Sequence, residues 1–376
     1  MSDDERRARA ALSRLTEPGE PRLTGLVAEL GATRLYELLV HERDAQGMLT
    51  DVAARLASTD PDRELDRAAR LGIRFVIPSD DEWPTQVDAL VSAGQLQERG
   101  GVPIGLWAKG PLRLDRLAES VAVVGSRSST TYGDRVAGEI AAVAARQGCP
   151  VVSGAAFGID QAAHRGAVAI DGPSVAVLAC GVDRAYPAAH TQLIEHLAAT
   201  GAVVSEAPPG CAPMRVRFLA RNRLIAALSR GTVIVEAAVR SGALNTANWA
   251  GRLNRVVLGV PGPVTSASSE GVHQLIRQGT AVLVTGGGDV LELVSQSGEH
   301  LVDDPRAPAR PRDRLTTRHR QVLDAVPVAR GAGTDSVART AGLGIVEVRT
   351  ALAHLHRQGL VQQDDDGWRL AALAHT

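Results

Sequence analysis

The chain has 376 residues, 44% of them hydrophobic and 22% charged, enough for a sizeable core shared among two or three domains. No apolar run reaches the length of a membrane span, and the opening MSDDERRARA lacks a signal-peptide pattern, so a cytoplasmic protein with no membrane partner is expected. A net charge of −1 excludes a polycation, so a polyanionic partner would have to meet a local basic patch. The positive charge is almost all arginine, with Lys109 as the single lysine. Arginine suits phosphate through its planar fork and can stack on bases. Cys149, Cys180 and Cys211 stand about 30 residues apart, which fits neither a disulfide framework nor a zinc site. No metal and no cofactor are expected.

Residues 1–75 read as a small helical domain, with LTGLVAELGATRLYELLV (23–40) carrying helical apolar spacing broken by Gly31. A connector with Trp83, Pro84 and IGLWAKGPL (104–112) follows. Short apolar runs then alternate with helical stretches: VAVVGSR (121–127), PVVSG (150–154), SVAVLACG (174–181), AVVSE (202–206), TVIVEAA (232–238), RVVLGVPG (255–262) and AVLVTGG (281–287). Continuous apolar strands separated by crossover helices imply an α/β fold, an extended Rossmann-like parallel sheet buried on both faces, over 76–300. Residues 301–314, rich in Pro, Arg and Asp, read as a linker. Over 315–376 the pattern is three helices, the second capped by Thr334 or Asp335 and the third closed by Gly359, then two short strands around an Asp-Gly turn. That order is a winged helix. Its tip, Asp364-Asp365-Asp366, would repel phosphates.

Ligands of an open parallel sheet bind outside the carboxyl ends of its strands. Here those ends carry small residues: Gly125-Ser126-Arg127, Ser153-Gly154, Cys180-Gly181, Ser205-Glu206, Glu236-Ala237-Ala238 and Pro261-Gly262. Such turns allow close backbone approach, and the helix N-termini after them expose N–H groups suited to phosphate. The turn GSRSSTTYG (125–133) is not a dinucleotide fingerprint, and no Walker A run occurs, so NAD and ATP are disfavoured. In APMRVRFLARNRLIAALS (212–229), Arg215, Arg217, Arg221 and Arg223 fall together with no acid among them; Asn222 offers donors and acceptors and Phe218 a face for stacking. Asp160 and His164, four apart, share a helix face, which allows acid–base chemistry or simple helix capping. Glu236 could be catalytic or could hold loop N–H groups, and Ser241-Gly242 opens a helix that could hold phosphate. No nucleophile, base and orienting partner lie close in sequence, so no catalytic residue is expected.

Taken together, VAVVGSRSSTTYG, VVSGAAFGIDQAAHRGAV, AVLACGVDRAYPAAH, VVSEAPPG, FLARNRLIAALS, VIVEAAVRSGALNTA, VPGPV and LIRQGTAVLV resemble the DNA-processing protein A (DprA or Smf) family, in family order across roughly 105–295. The resemblance implies a homodimer that binds single-stranded DNA without catalytic turnover, protects incoming strands and helps load the RecA recombinase during natural transformation. It carries DNA-contact roles to Arg127 and to Arg221, Asn222 and Arg223, and matches Ser153, Gly154, Gly158, Asp160, Ser241 and Gly242 to the remaining loops. Two departures stand out: the family's F-P-x-R-N-R loses its proline at Leu219, and His190 replaces the asparagine often found after Y-P. The alternatives are a nucleotide-processing Rossmann-like enzyme of N-glycosidase type, although its P-G-G-x-G-T-x-x-E run is missing, and a winged-helix regulator.

Overall fold

The structure is a computed structural model that describes residues 2–41, 60–301 and 311–375; positions 42–59 of the expected helical domain and 302–310 of the expected linker lie outside the described residues. The chain divides into two compact units, Met1–Val302 and Asp303–Thr376.

The larger unit is built on a nine-stranded sheet. In chain order its strands are β1 (Ile73–Val76), β4 (Leu106–Lys109), β5 (Val121–Val124), β6 (Val151–Ser153), β7 (Ser174–Val177), β8 (Ala202–Ser205), β9 (Gly231–Ile234), β10 (Val256–Gly259) and β11 (Val282–Leu283), while β2 (Gln95–Leu96) and β3 (Arg99–Gly100) pair apart as a hairpin. The order across the sheet is β1-β4-β8-β7-β6-β5-β9-β10-β11. Every pair from β8 to β11 is parallel. The α/β parallel sheet expected from the apolar runs is therefore the fold observed, and the residues that follow each strand are its carboxyl-end loops.

Two strands of this sheet were not expected. β1 and β4 fall in stretches read as the end of a helical domain and as a connector, and they extend the sheet by antiparallel pairing. Phe75 and Trp107 face each other in register with ring centroids 4.3 Å apart, and Trp107 is fully buried. This cross-strand aromatic pair stabilises a junction too short to show a period in sequence.

Side-chain alternation sends successive residues of each strand to opposite faces. Val121, Val123, Val233 and Val235 pack with helices Thr131–Arg146, Ile159–Val168 and Gly287–Val294. Ala122, Val124 and Ile234 pack on the other side with helices Arg215–Leu228 and Gly242–Arg252. The first two helices touch closely because a Cβ at Gly166 would strike the Gly138 carbonyl.

Of the N-terminal helices, Ser2–Leu12 and Pro61–Arg70 pack on this sheet while Pro21–Leu30 and Ala32–His41 pack with the first of them, and Gly31 (φ 79°) breaks the 23–40 pattern as expected. A buried ion pair fastens them. Arg223 Nη1 and Nη2 donate to the Glu206 carboxylate at 2.6 and 2.7 Å, Arg223 Nε donates to the Gly101 carbonyl at 3.2 Å, and the Gly19 N–H reaches Glu206 at 3.4 Å. Arg223 is fully buried and Glu206 nearly so.

The smaller unit has helices Thr317–Asp324, Thr334–Ala341 and Ile345–Arg357, then the antiparallel hairpin β12 (Val361–Asp364) and β13 (Gly367–Leu370). Its core includes Val322, Val337, Leu352 and Leu355. Gly333, rather than Thr334 or Asp335, occupies the cap of the second helix.

Removing one partner of a buried pair leaves the other charge uncompensated. Glu206→Gln is expected to cost about 3–5 kcal/mol of stability, read as a lowered urea midpoint at unchanged m-value.

Candidate functional site

β5 and β9 are parallel neighbours, but the chain leaves them for opposite faces: β5 leads to helix Thr131–Arg146 on one side, β9 to helix Gly242–Arg252 on the other. Diverging connections open a crevice at their carboxyl ends. A cleft of about 790 Å³ lies there. It is lined by Gly125, Ser126 and Arg127 after β5, by Ala238, Arg240, Ser241 and Gly242 after β9, and by Arg215, Phe218, Arg221 and Asn222 of helix Arg215–Leu228.

The β5 loop is tied down by its backbone. The Ser126 N–H donates to the Glu236 carbonyl at 2.7 Å, and the Ser126 carbonyl accepts from the Ile159 N–H at 3.2 Å. A Cβ at Gly125 would collide with Ile159 and the Glu236 carbonyl, which explains the glycine. Arg127 is exposed, with its guanidinium 4.9 Å from the Phe218 ring centroid. That distance makes a cation–π contact and orients the charge over the cleft.

Consecutive helical residues point about 100° apart, so the arginine cluster is dispersed by the helix itself. Arg215 is exposed at the rim. Arg217 turns away and grips Glu17 through two bonds of 2.6 and 2.8 Å. Arg221 lies in the cleft floor, donating to the Val177 carbonyl at 3.2 Å and standing 3.9 Å from Asp160. Asn222 donates to the Gly242 carbonyl and to Asn245 Oδ1, both at 3.3 Å. Arg223 is outside the cleft, locked onto Glu206.

Asp160 also sits in the floor, accepting from the Gly154 N–H at 3.1 Å and the Ala156 N–H at 3.4 Å. Burial pushes its carboxyl above the ordinary value, against the pull of Arg221 and those N–H groups. Burial likewise lowers the Arg221 guanidinium, which nonetheless stays charged in proteins. Among the described residues the lining thus holds Arg127, Arg215, Arg221 and Arg240 against Asp160 as its one carboxylate. Ser241 caps helix Gly242–Arg252 through the Ala243 N–H, so this helix points its N-terminus into the cleft. Arginines, a helix start and glycine-edged loops together make a site for an anion.

A family model described as DNA recombination-mediator protein A matches residues 74–295. The chain belongs to that family. A Mycobacterium tuberculosis relative bearing the DprA name is 45% identical over 98% of this chain and 95% of its own. Protein Smf of Escherichia coli is 35% identical over 80% and 78%. Among solved structures, DNA processing protein A of Streptococcus pneumoniae matches with 30% identity and a TM-score of 0.63, covering 78% of this chain and 98% of that one. The Helicobacter pylori DNA processing protein A, solved to describe its single-stranded DNA binding mode, matches with 26% identity and a TM-score of 0.50 over 58% and 94%.

Other residues singled out in the sequence have duties within the fold. Ser153 is buried and donates to the Val123 carbonyl at 2.7 Å. Gly154 leaves room for Arg221, since a Cβ there would fall on Arg221 Nη1. Gly158 (φ 74°) caps helix Ile159–Val168, and a Cβ on it would strike the Ser126 carbonyl. Glu236 is buried and accepts from the Thr130 N–H at 2.9 Å, the Thr130 hydroxyl at 2.6 Å and Ser268 at 3.2 Å. Its carboxylate thus holds one loop N–H and two loop hydroxyls. His164 is fully buried and hydrogen-bonds Ser174 Oγ at 2.8 Å. Because Ser174 gives its own proton to the Val151 carbonyl, His164 Nδ1 is the donor. Burial takes its pKa down to about 3, and its hydrogen-bond partner is Ser174 rather than Asp160.

Arg240 and Tyr186 line the cleft without having been singled out. Both are lone residues in loops, and only a shared position at the sheet edge distinguishes them.

His164 sets a pH dependence. Its folded pKa of about 3 lies below the ordinary 6.5, so only the unfolded chain takes up this proton as pH falls between those values. Stability therefore declines with falling pH through that window. Urea melts at intervals from pH 7.5 to about 4 should show a shallower decline in His164→Gln than in the parent chain.

Proposed function

We propose that this chain binds single-stranded DNA along the cleft at the β5–β9 reversal, largely without regard to sequence. The observation that carries the reading is the lining itself: Arg127, Arg215, Arg221 and Arg240 converge on one crevice with Asp160 as the sole carboxylate, in a chain of net charge −1. Backbone phosphates satisfy such a site, and nothing in it reads base edges in a duplex groove. The Helicobacter pylori relative, whose binding mode for single strands was the object of its structure, supports the same ligand here.

Within this reading Gly125 and Gly242 offer backbone N–H groups to phosphate, Ser126 and Ser241 offer their hydroxyls, and Asn222 and Phe218 shape the wall. Arg223 has no DNA contact and acts as a fastener. In this reading binding occurs without catalytic turnover, and the hydrogen bonds already held by Glu236, His164 and Asp160 support it. The biological setting we propose is the one the resemblance implies: a cytoplasmic homodimer that protects incoming strands and helps load RecA recombinase during transformation. The same reading assigns residues 1–75 to a helical domain whose last residues enter the sheet as β1, 76–300 to the α/β domain, 301–314 to a linker and 315–376 to a winged helix. The exposed Asp364, Asp365 and Asp366 at the hairpin turn disfavour phosphate contact there.

Single-strand affinity should fall steeply with salt, since each neutralised phosphate contributes about 0.7 to the logarithmic slope. Arg127→Ala, Arg215→Ala and Arg240→Ala should each lower that slope by about 0.7 and weaken binding alike on thymidine and mixed-sequence oligonucleotides. Fluorescence anisotropy between 50 and 300 mM salt, as an approximate range of about sixfold, measures both quantities. Unchanged affinity and slope in all three variants would place the strand elsewhere.

A further inference from the structure

We propose that Asp160 is a positioning residue that steadies Arg221 in the cleft floor while no strand is bound, and that it takes up a proton when a strand phosphate replaces it as the partner of Arg221. The proposal rests on the single-strand reading above and concerns how that site answers to pH.

The pair is built short of closure. Asp160 Oδ2 stands 3.9 Å from Arg221 Nη1, beyond hydrogen-bond reach. On the same helix Arg217 closes on Glu17 at 2.6 and 2.8 Å, and Arg223 closes on Glu206 at 2.6 and 2.7 Å. Arg221 has the neutral Val177 carbonyl at 3.2 Å, and among the described residues its buried Nε has no acceptor. A guanidinium is donor-only and stays charged in proteins, so this one reaches the cleft with donors to spare. Arg127 lies beside it, the two guanidinium groups standing 4.9 and 5.9 Å from the centroid of the Phe218 ring. A phosphate drawn to both would offer Arg221 the close acceptors that Asp160 does not.

Asp160 then loses its counter-charge. At 6% exposure it is too buried for water to solvate the freed carboxylate. The loop after β6 gives it the Gly154 and Ala156 N–H groups and sets the Ser153 hydroxyl beside it. His164 follows one turn later on its own helix, and His190 backs the β6 loop by bonding the Ala155 carbonyl at 2.9 Å. Arg127 and Cys180, on the loops after β5 and β7, bear on Arg221. Burial takes His164 down to about 3 and Cys180 up to about 11, so both stay neutral near pH 7. Burial pushes the Asp160 carboxyl up, and Arg221 is the neighbouring charge that opposes it. A phosphate that neutralises Arg221 and adds its own negative charge in the same floor tips Asp160 toward its protonated form. The complex therefore holds this proton more tightly than the free chain does. Affinity rises as pH falls through the window between the two values and levels off on either side.

The test titrates a thymidine oligonucleotide, whose bases and phosphates keep their charge near neutral pH, against the full chain at fixed ionic strength. Parent affinity should rise about tenfold from about pH 8 to about pH 5.5. Calorimetry in two buffers of different ionisation enthalpy should show proton uptake on binding. Asp160→Asn keeps an oxygen for the Gly154 and Ala156 N–H groups but carries no charge. It should bind at about pH 8 as tightly as the parent does at about pH 5.5, with a flat profile. Asp160→Glu should keep the pH dependence, and so should His190→Asn. A flat parent profile without proton uptake, a slope that survives in Asp160→Asn, or a slope that vanishes in His190→Asn overturns the role of Asp160 and leaves the single-strand reading intact. Weaker binding of Asp160→Asn than of the parent at every pH also overturns it, since that marks a carboxylate needed only to hold the floor together. Should Asp160→Asn not fold, the buffer dependence of the parent's binding enthalpy decides the matter, with proton uptake supporting the proposal and its absence overturning it. Failure of the parent chain to bind the oligonucleotide at any pH overturns the single-strand reading and this proposal together.

Discussion

The bidentate pair between Arg223 and Glu206 is the contact on which the geometry of the larger unit depends. Glu206 follows β8 directly, Arg223 belongs to the helix that crosses back toward β9, and Gly19 and Gly101 bring N-terminal backbone onto the same two side chains. Both groups are buried, so each is intolerable without the other. Once Arg223 is held, the helix cannot rotate about its axis. Arg221 and Asn222 must then face the cleft, and Arg217 must face Glu17.

The second constraint is topological. The chain lays β5 through β8 in one direction and returns to place β9 on the other flank of β5, so a crevice opens where the helices diverge. Small loop residues let backbone N–H groups approach whatever lies there, and four arginines gathered on one crevice concentrate its field. A chain with almost no net charge can in this way carry one strongly cationic cleft. Asp160 sits beneath it, paired loosely with Arg221 and held by two backbone N–H groups.

Much of the fold was legible in the sequence because parallel strands buried on both faces must be continuously apolar. Runs such as VAVV and AVVS admit no other comfortable reading, and the glycine and serine after them mark where the strands end. β1 and β4 were not legible. They are four residues long, pair antiparallel at the sheet's edge, and owe their place to the contact of Phe75 with Trp107, which no local period announces.

The site was legible in outline only. Sequence alone determined that small residues would follow the strands, that Arg127 would stand at the first of these loops, and that the arginines of 215–223 would share one helix. It could not sort those arginines, because spacing along a chain says nothing about which acid waits across it. Only the tertiary structure brought Glu17, Asp160 and Glu206 up from distant segments to claim Arg217, flank Arg221 and bury Arg223, and carried Arg240 and Tyr186 in to join the cleft. The division has a physical reason. Burial pattern and backbone conformation are local properties, whereas charge pairing depends on which surfaces the folded chain presses together.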